Sequence, residues 1–180
     1  MPARVIQVDE TDQAIVGAFS SSRGSFAAVA AGDYADNDVM SNDAGAGLGD
    51  PIEFPLAVRA PGGAAKIVGA RITYTAATAF PPTSELFLFS QAPTVTEMDD
   101  NAAFTAVDVA DLPYSLGSIL FAAGTDVGPA TVSLPSALTP AAPLFVRAAA
   151  RSIFGILVLR DAATAETAGM LVTIDLYLEN

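Results

Sequence analysis

Two stretches of this chain alternate in side-chain character with a strict period of two, and that pattern constrains the fold more than any other feature. In "GMLVTIDLYLEN", residues 169 to 180, Val172, Ile174, Leu176 and Leu178 fall on one side, and Thr173, Asp175, Tyr177 and Glu179 on the other. In "AKIVGARITYTA", residues 65 to 76, Val68, Ala70, Ile72 and Tyr74 share one face while Ile67, Arg71 and Thr73 share the other. Successive side chains of an extended strand point to opposite faces, so this spacing predicts strands with one buried side, the other meeting water or a partner. Shorter apolar runs lie between them: "ELFLFS", "LGSILFAA", "ATVSLP", "PLFVRAAA" and "SIFGILVLR". Most are bounded by Pro, Gly, Asp or Ser, the residues that end strands.

One helix is predicted, in "TAVDVADLP" over 105–113, with Thr105 as its cap, Asp108 in a capping-box-like position and Pro113 as its stop. Many short strands with almost no helix predict an all-β fold, an antiparallel β-sandwich of jelly-roll type. Apolar pieces at 3–8 and 13–20, separated by the acidic turn "DETD", predict an N-terminal arm or strand pair within 1–32. The sandwich is then expected over 33–180, opening with the Gly/Asp/Asn-rich loop "GDYADNDVMSNDAGAGLGD" and its short strand "DVMS". A length of 180 residues, with no linker and no repeat, predicts one domain.

Charge and composition exclude several functions. The formal charge is −12, with one lysine and seven arginines, which opposes gripping phosphates, so neither a nucleic-acid partner nor an anionic membrane surface is expected. No apolar run is long enough to cross a bilayer, and the first twenty residues lack the basic start and apolar centre of a signal peptide. There is no Cys, hence no disulfide and no thiolate zinc site. There is also no His, so Ser–His–Asp and Cys–His machinery is impossible, and only paired carboxylates remain for acid–base work. Trp is absent as well, which leaves a carboxylate glycosidase short of sugar-stacking platforms. The expectation is a protein that is not an enzyme.

Four clusters are candidates for a site. Glu97, Asp99 and Asp100, beside Asn101, and the group Asp33, Asp36 and Asp38 both lack the spacing and the glycine of an EF-hand. An irregular calcium site and a set of carboxylates that cap and turn the backbone both stay open, the second being the expectation. "GAGLGD" at 45–50 is followed by Pro51 and a strand-like run rather than a helix, so it is not read as a phosphate cradle. No cofactor and no metal are expected. Arg147, Arg151 and Arg160 are either an ion-pair face toward a partner or ordinary solvent-facing cations.

Several segments, taken in order, resemble a family of small tailed-bacteriophage structural proteins. "YADNDVMS" at 34–41 looks like the family's "Y-x-x-x-D-V-x-S" opening, and "SELFLFSQAPTVTEMDDNAAFT" is similar to its "L-x-L-F-x-x-x-P-T … D-N-A-A-F" segment. "DLPYSLGSILFA" resembles a "D … L-G-x-I-x-F" element, and "SIFGILVLRDAATAETAGMLVTIDLYLEN" looks like the closing pair of strands. The resemblance spans roughly 33–180; the N-terminal segment departs from it by being longer. It implies a capsid decoration (cement) protein on the outer face of a virion, made in the host cytoplasm. Such a protein binds the major capsid protein and copies of itself, expected as a homotrimer. Contact is expected through Val5, Ile6, Val8, Ile15, Val16 and Phe19 in the arm and through Tyr34, Val39 and Met40 in the following loop. The alternatives are a phage tail, neck or fibre component with receptor-binding loops, and a carbohydrate-binding module or carboxylate glycosidase.

Overall fold

The computed structural model describes residues 7–8, 14–15, 19–28, 32–43, 49–75, 82–126, 131–133, 144–166 and 169–179. Two antiparallel sheets pack face to face as a sandwich. The first takes its strands in the order β10 (Thr125–Asp126), β11 (Thr131–Ser133), β7 (Ala64–Thr75), β15 (Leu171–Glu179), β3 (Phe19–Ala27). A further strand, β12 (Leu144–Arg147), pairs with the opening residues of β7, beyond the stretch that β11 occupies. The second sheet runs β5 (Val39–Met40), β13 (Ile153–Leu159), β8 (Ser84–Phe89), β9 (Ser115–Phe121), and β6 (Ile52–Phe54) pairs with the start of β13. Two small pairs complete the set: β1 (Gln7–Val8) with β2 (Ala14–Ile15), and β4 (Gly32–Tyr34) with β14 (Ala163–Glu166).

The alternation in β15 is realised as expected: Val172, Ile174, Leu176 and Leu178 are buried between the sheets, and Tyr177 and Glu179 are exposed. They meet Leu86, Leu88, Phe54 and Phe121 of the second sheet in one apolar core. Each such side chain contributes about 1.5–3 kcal/mol on burial.

In β7 the phase changes part-way. Ala70, Ile72 and Tyr74 face the core as the pattern predicts, but Tyr177 pairs with Gly69 and Leu178 with Ile67, so Val68 has no opposite residue. This bulge puts Val68 outside and Ile67 inside, the reverse of the expected assignment. Tyr177 lies over Gly69, where an added Cβ would come within 3.2 Å of its ring.

Two further expectations are corrected. The 105–113 helix does not form; the single helical turn among the described residues is a 3₁₀ turn, Leu112–Tyr114, with Pro113 inside it. The Asp108 carboxylate accepts from the Ala110 N–H at 2.8 Å, closing a local turn in place of a helix cap. The sandwich also begins before residue 33, because β3 pairs with β15 along its whole length. Its sequence, FSSSRGSFA, hides this: small Ser22 and Gly24 take buried positions where a strand normally advertises large apolar residues.

Both sides of the sandwich are drawn together where small residues permit it. Gly24 in β3 abuts β6, where a Cβ would sit 2.5 Å from Ile52 Cγ2 and 3.1 Å from the Glu53 carbonyl oxygen. On the opposite side Gly117 in β9 faces Leu144 of β12. The central strand β13 is covered on both faces: Ile153, Leu157 and Leu159 enter the main core, while Ile156 and Val158 enter a second cluster with Val39, Phe89, Met98 and Phe104. That second cluster lies under the long connection from β8 to β9, residues 90–114, which forms a loop layer over the outer side of the second sheet.

Candidate functional site

The acidic cluster at 97–101 resolves into a structural clamp. Asp100 is buried, and its Oδ1 accepts from Tyr34 Oη at 3.0 Å and from the Ser41 N–H at 2.8 Å. The backbone completes the join: Val39 N–H donates to the Ala102 carbonyl, Asn101 N–H to that of Val39, and Phe104 N–H to that of Asn37. Asn37 and Asn101 adopt positive φ of 70° and 60°, the left-handed conformation that asparagine tolerates better than most residues. Nearby, Glu97 Oε1 accepts from the N–H groups of Met98 and Asp99, and the buried Asp38 accepts from the Ala35 N–H at 2.6 Å. These carboxylates turn and cap backbone. Among the described residues no group of three or more metal-type side chains is placed to hold an ion.

A second carboxylate organises the loop layer. Asp111 is buried and accepts from the N–H groups of Thr94, Val95 and Thr96 at 2.9, 2.9 and 2.7 Å, and from Thr96 Oγ1 at 2.8 Å. Burial alone would raise its pKa, but the N–H groups of Thr94, Thr96 and Val95 outweigh burial and hold it down at about 2. The Asp108 N–H donates to Thr96 Oγ1, so 94–96 and 108–111 are stitched into one layer. Its outer side exposes Val95, Val109 and Leu112.

The outer face of the first sheet is of a different character. Asp175, buried at the middle of β15, accepts from Arg23 Nε on β3 and from Arg71 Nη2 on β7, each at 2.7 Å. Burial would raise the Asp175 pKa; the two guanidinium groups overcome that and lower it. Lys66 pairs with Glu179 at 3.1 Å on the same face. Val68, Tyr177 and Phe145 stand exposed among these charges, and Phe145 is directly opposite Lys66 in the β12–β7 register.

The expected contact residues divide. Tyr34, Val39 and Met40 turn inward: all three are buried, Tyr34 on Asp100 and Val39 and Met40 against β13, so their side chains serve the fold and not a surface. Val5, Ile6 and Val16 lie outside the described residues. Val8 and Ile15 are members of the β1–β2 pair, and Phe19 opens β3. The three arginines do not share a face. Arg147 projects from the first sheet; Arg160, at the end of β13, contacts Glu85 at 2.6 Å and Asn37, with its guanidinium 5.4 Å from the centre of the Phe87 ring. Arg151 sits in the loop between β12 and β13. Of "GAGLGD", only Gly49 and Asp50 are described; Gly49 has φ +69°, and an added Cβ would lie 2.3 Å from the Met98 carbonyl oxygen.

Sequence reasoning identified the outward side of β15 but missed the cross-strand ion pairs that organise it. Asp175 within an alternating strand was the available signal, since a carboxylate midway along a strand needs cross-strand cations that only pairing reveals.

Comparison with known proteins adds little. No family model matches the chain, and no curated protein matches it. Among solved structures, a chain from turnip yellow mosaic virus is similar over 98% of this chain and 88% of that one, at 13% identity and a TM-score of 0.25. A likeness at that score carries no argument about fold or function.

Proposed function

We propose that this chain is a structural protein of a tailed-phage virion, a decoration protein that sits on the outer face of the head and bridges major capsid subunits, acting as a homotrimer. The observation that carries this reading is the clamp. Two stretches that carry the phage-family resemblance, "YADNDVMS" and "DNAAF", the second its strongest part, are joined by the Tyr34–Asp100 hydrogen bond across 66 positions. Two segments that carry the resemblance therefore act on one another in the fold.

The strand order supports the same reading. If β5 and β6 are taken as one position along β13, and β11 and β12 as one along β7, each sheet draws its strands alternately from the two halves of the chain, apart from the edge strand β10, which lies beside its sequence neighbour β11. We read this order as a jelly roll, an architecture found in viral capsid domains and also in lectins and cupins, so the fold alone does not choose among them. The absence of His and Cys from the sequence and the structural use of Asp100 and Asp111 favour a binding role over catalysis.

The test is add-back. Purified protein mixed with phage heads that lack it should bind in a saturable way and raise the temperature at which the heads release DNA. Binding to tails alone, or to neither, would overturn the proposal.

A further inference from the structure

We propose that copies of this chain associate head to tail, the outer face of the first sheet of one copy receiving the stitched loop layer of the next. This rests on the self-association in that reading and names the two surfaces that make it; its test, assembly of the isolated chain, can fail while binding to heads succeeds.

The argument begins with charge. Of the chain's eight cations, four (Arg23, Lys66, Arg71 and Arg147) project from the outer face of the first sheet, against two of its twenty carboxylates, Asp175 and Glu179. On a chain of net charge −12 this is a locally positive surface. The loop layer has the opposite character: residues 91–114 contain no Lys or Arg and five carboxylates, of which Glu97, Asp99 and Asp108 are not buried.

Each face also carries exposed apolar groups that a monomer leaves in water. On the sheet these are Phe145, 69% exposed, with the bulged Val68 and Tyr177. On the loop layer they are Val109, 81% exposed, with Val95 and Leu112. Apolar anchors ringed by complementary charge are how specific interfaces are built.

Geometry selects the mode. Like faces repel, so the same patch does not pair with itself. The two unlike faces lie on opposite sides of the sandwich, one on each sheet, so one copy cannot satisfy both by itself. A contact between different patches is heterologous, and it closes into a ring or continues as a filament. The fold supplies rigidity: the Arg23–Asp175–Arg71 bridge fixes one face and the Asp111 bonds fix the other, so neither must be ordered on docking.

The experiment is sedimentation of the full chain and of two variants, Phe145→Glu and Val109→Lys, each at an exposed position, with circular dichroism to check that the fold is kept. At about 0.1 mM and low salt, where a micromolar interface is filled, the wild type should sediment as an assembly larger than 18.3 kDa. Raising the salt should weaken it. Each variant alone should lose self-association by about tenfold or more in dissociation constant, as for a central anchor. Arg147→Glu, which alters charge without touching an apolar group, should do the same. The decisive result is the equimolar mixture of Phe145→Glu and Val109→Lys, which should associate where neither variant does alone, because each retains the face that the other lacks. A monomeric wild type, a variant that assembles like the wild type, or a mixture that stays monomeric would each overturn the proposal.

Discussion

Tyr34 donates its phenolic hydroxyl to the buried carboxylate of Asp100 at 3.0 Å, tying the end of β4 to the loop layer over the second sheet. The same carboxylate accepts the Ser41 N–H, so removing it strands two buried donors, whereas removing the hydroxyl strands neither. Asp100→Ala should therefore destabilise the chain by about 2–4 kcal/mol and Tyr34→Phe by about 1 kcal/mol. The double variant should cost less than the sum, because the two groups share one bond. Urea unfolding of the four proteins measures this, and strict additivity would show that the clamp is not a coupled unit.

Acid should unfold this protein through two carboxylates. Asp111 titrates at about 2 in the folded chain, against an ordinary value of 3.8, and Asp175 is also lowered. A depressed folded pKa contributes stability that is fully present above the unfolded value and is lost as pH falls through the folded one. For Asp111 that is about 2 kcal/mol, disappearing between roughly pH 4 and pH 2. Thermal melts of Asp111→Asn against wild type should differ at pH 6 and converge by pH 2, and a constant gap would contradict the assignment.

The bridge over β7, β15 and β3 should respond non-additively. Arg23 and Arg71 are both substantially exposed at their outer ends, so Arg23→Ala or Arg71→Ala alone leaves Asp175 one cation and should cost under about 1 kcal/mol. The double variant leaves a buried carboxylate without either cation and should cost clearly more than the sum, about 2–3 kcal/mol. Chemical denaturation reads both.

Gly24 is required by contact. Its φ is not in the left-handed region, so the cost of Gly24→Ala comes from the new Cβ meeting Ile52 Cγ2 and the Glu53 carbonyl, and should be about 1–3 kcal/mol. In an Ile52→Ala background, which removes the nearer atom, the same change should cost less. Equal costs in both backgrounds would place the strain elsewhere.

These particulars also explain what could be read from sequence. β15 and the second half of β7 were legible because one face is buried along their length and period two reports that directly. The bulge at Val68 was not, since a one-residue phase change is set by the partner strand and leaves no local mark. β3 was obscured by its serines. The helix at 105–113 failed because Asp108 bonds its own neighbours and Asp111 is drawn off to the N–H groups of 94–96, a tertiary use that propensity does not register. The inward turn of Tyr34, Val39 and Met40 was hidden likewise: their short segment is covered on both sides, by β13 and by the 99–104 loop. Carboxylates read as an open question at 97–101 became a clamp only when Tyr34 arrived from far along the chain.

The most direct test of the virion assignment is the number of copies per particle, measured by quantitative mass spectrometry or gel densitometry of purified virions against the major capsid protein. A decoration role predicts on the order of hundreds of copies, in fixed ratio to the capsid subunit, as symmetric placement on a shell demands. A handful of copies, or none in particles that are otherwise complete, would contradict it.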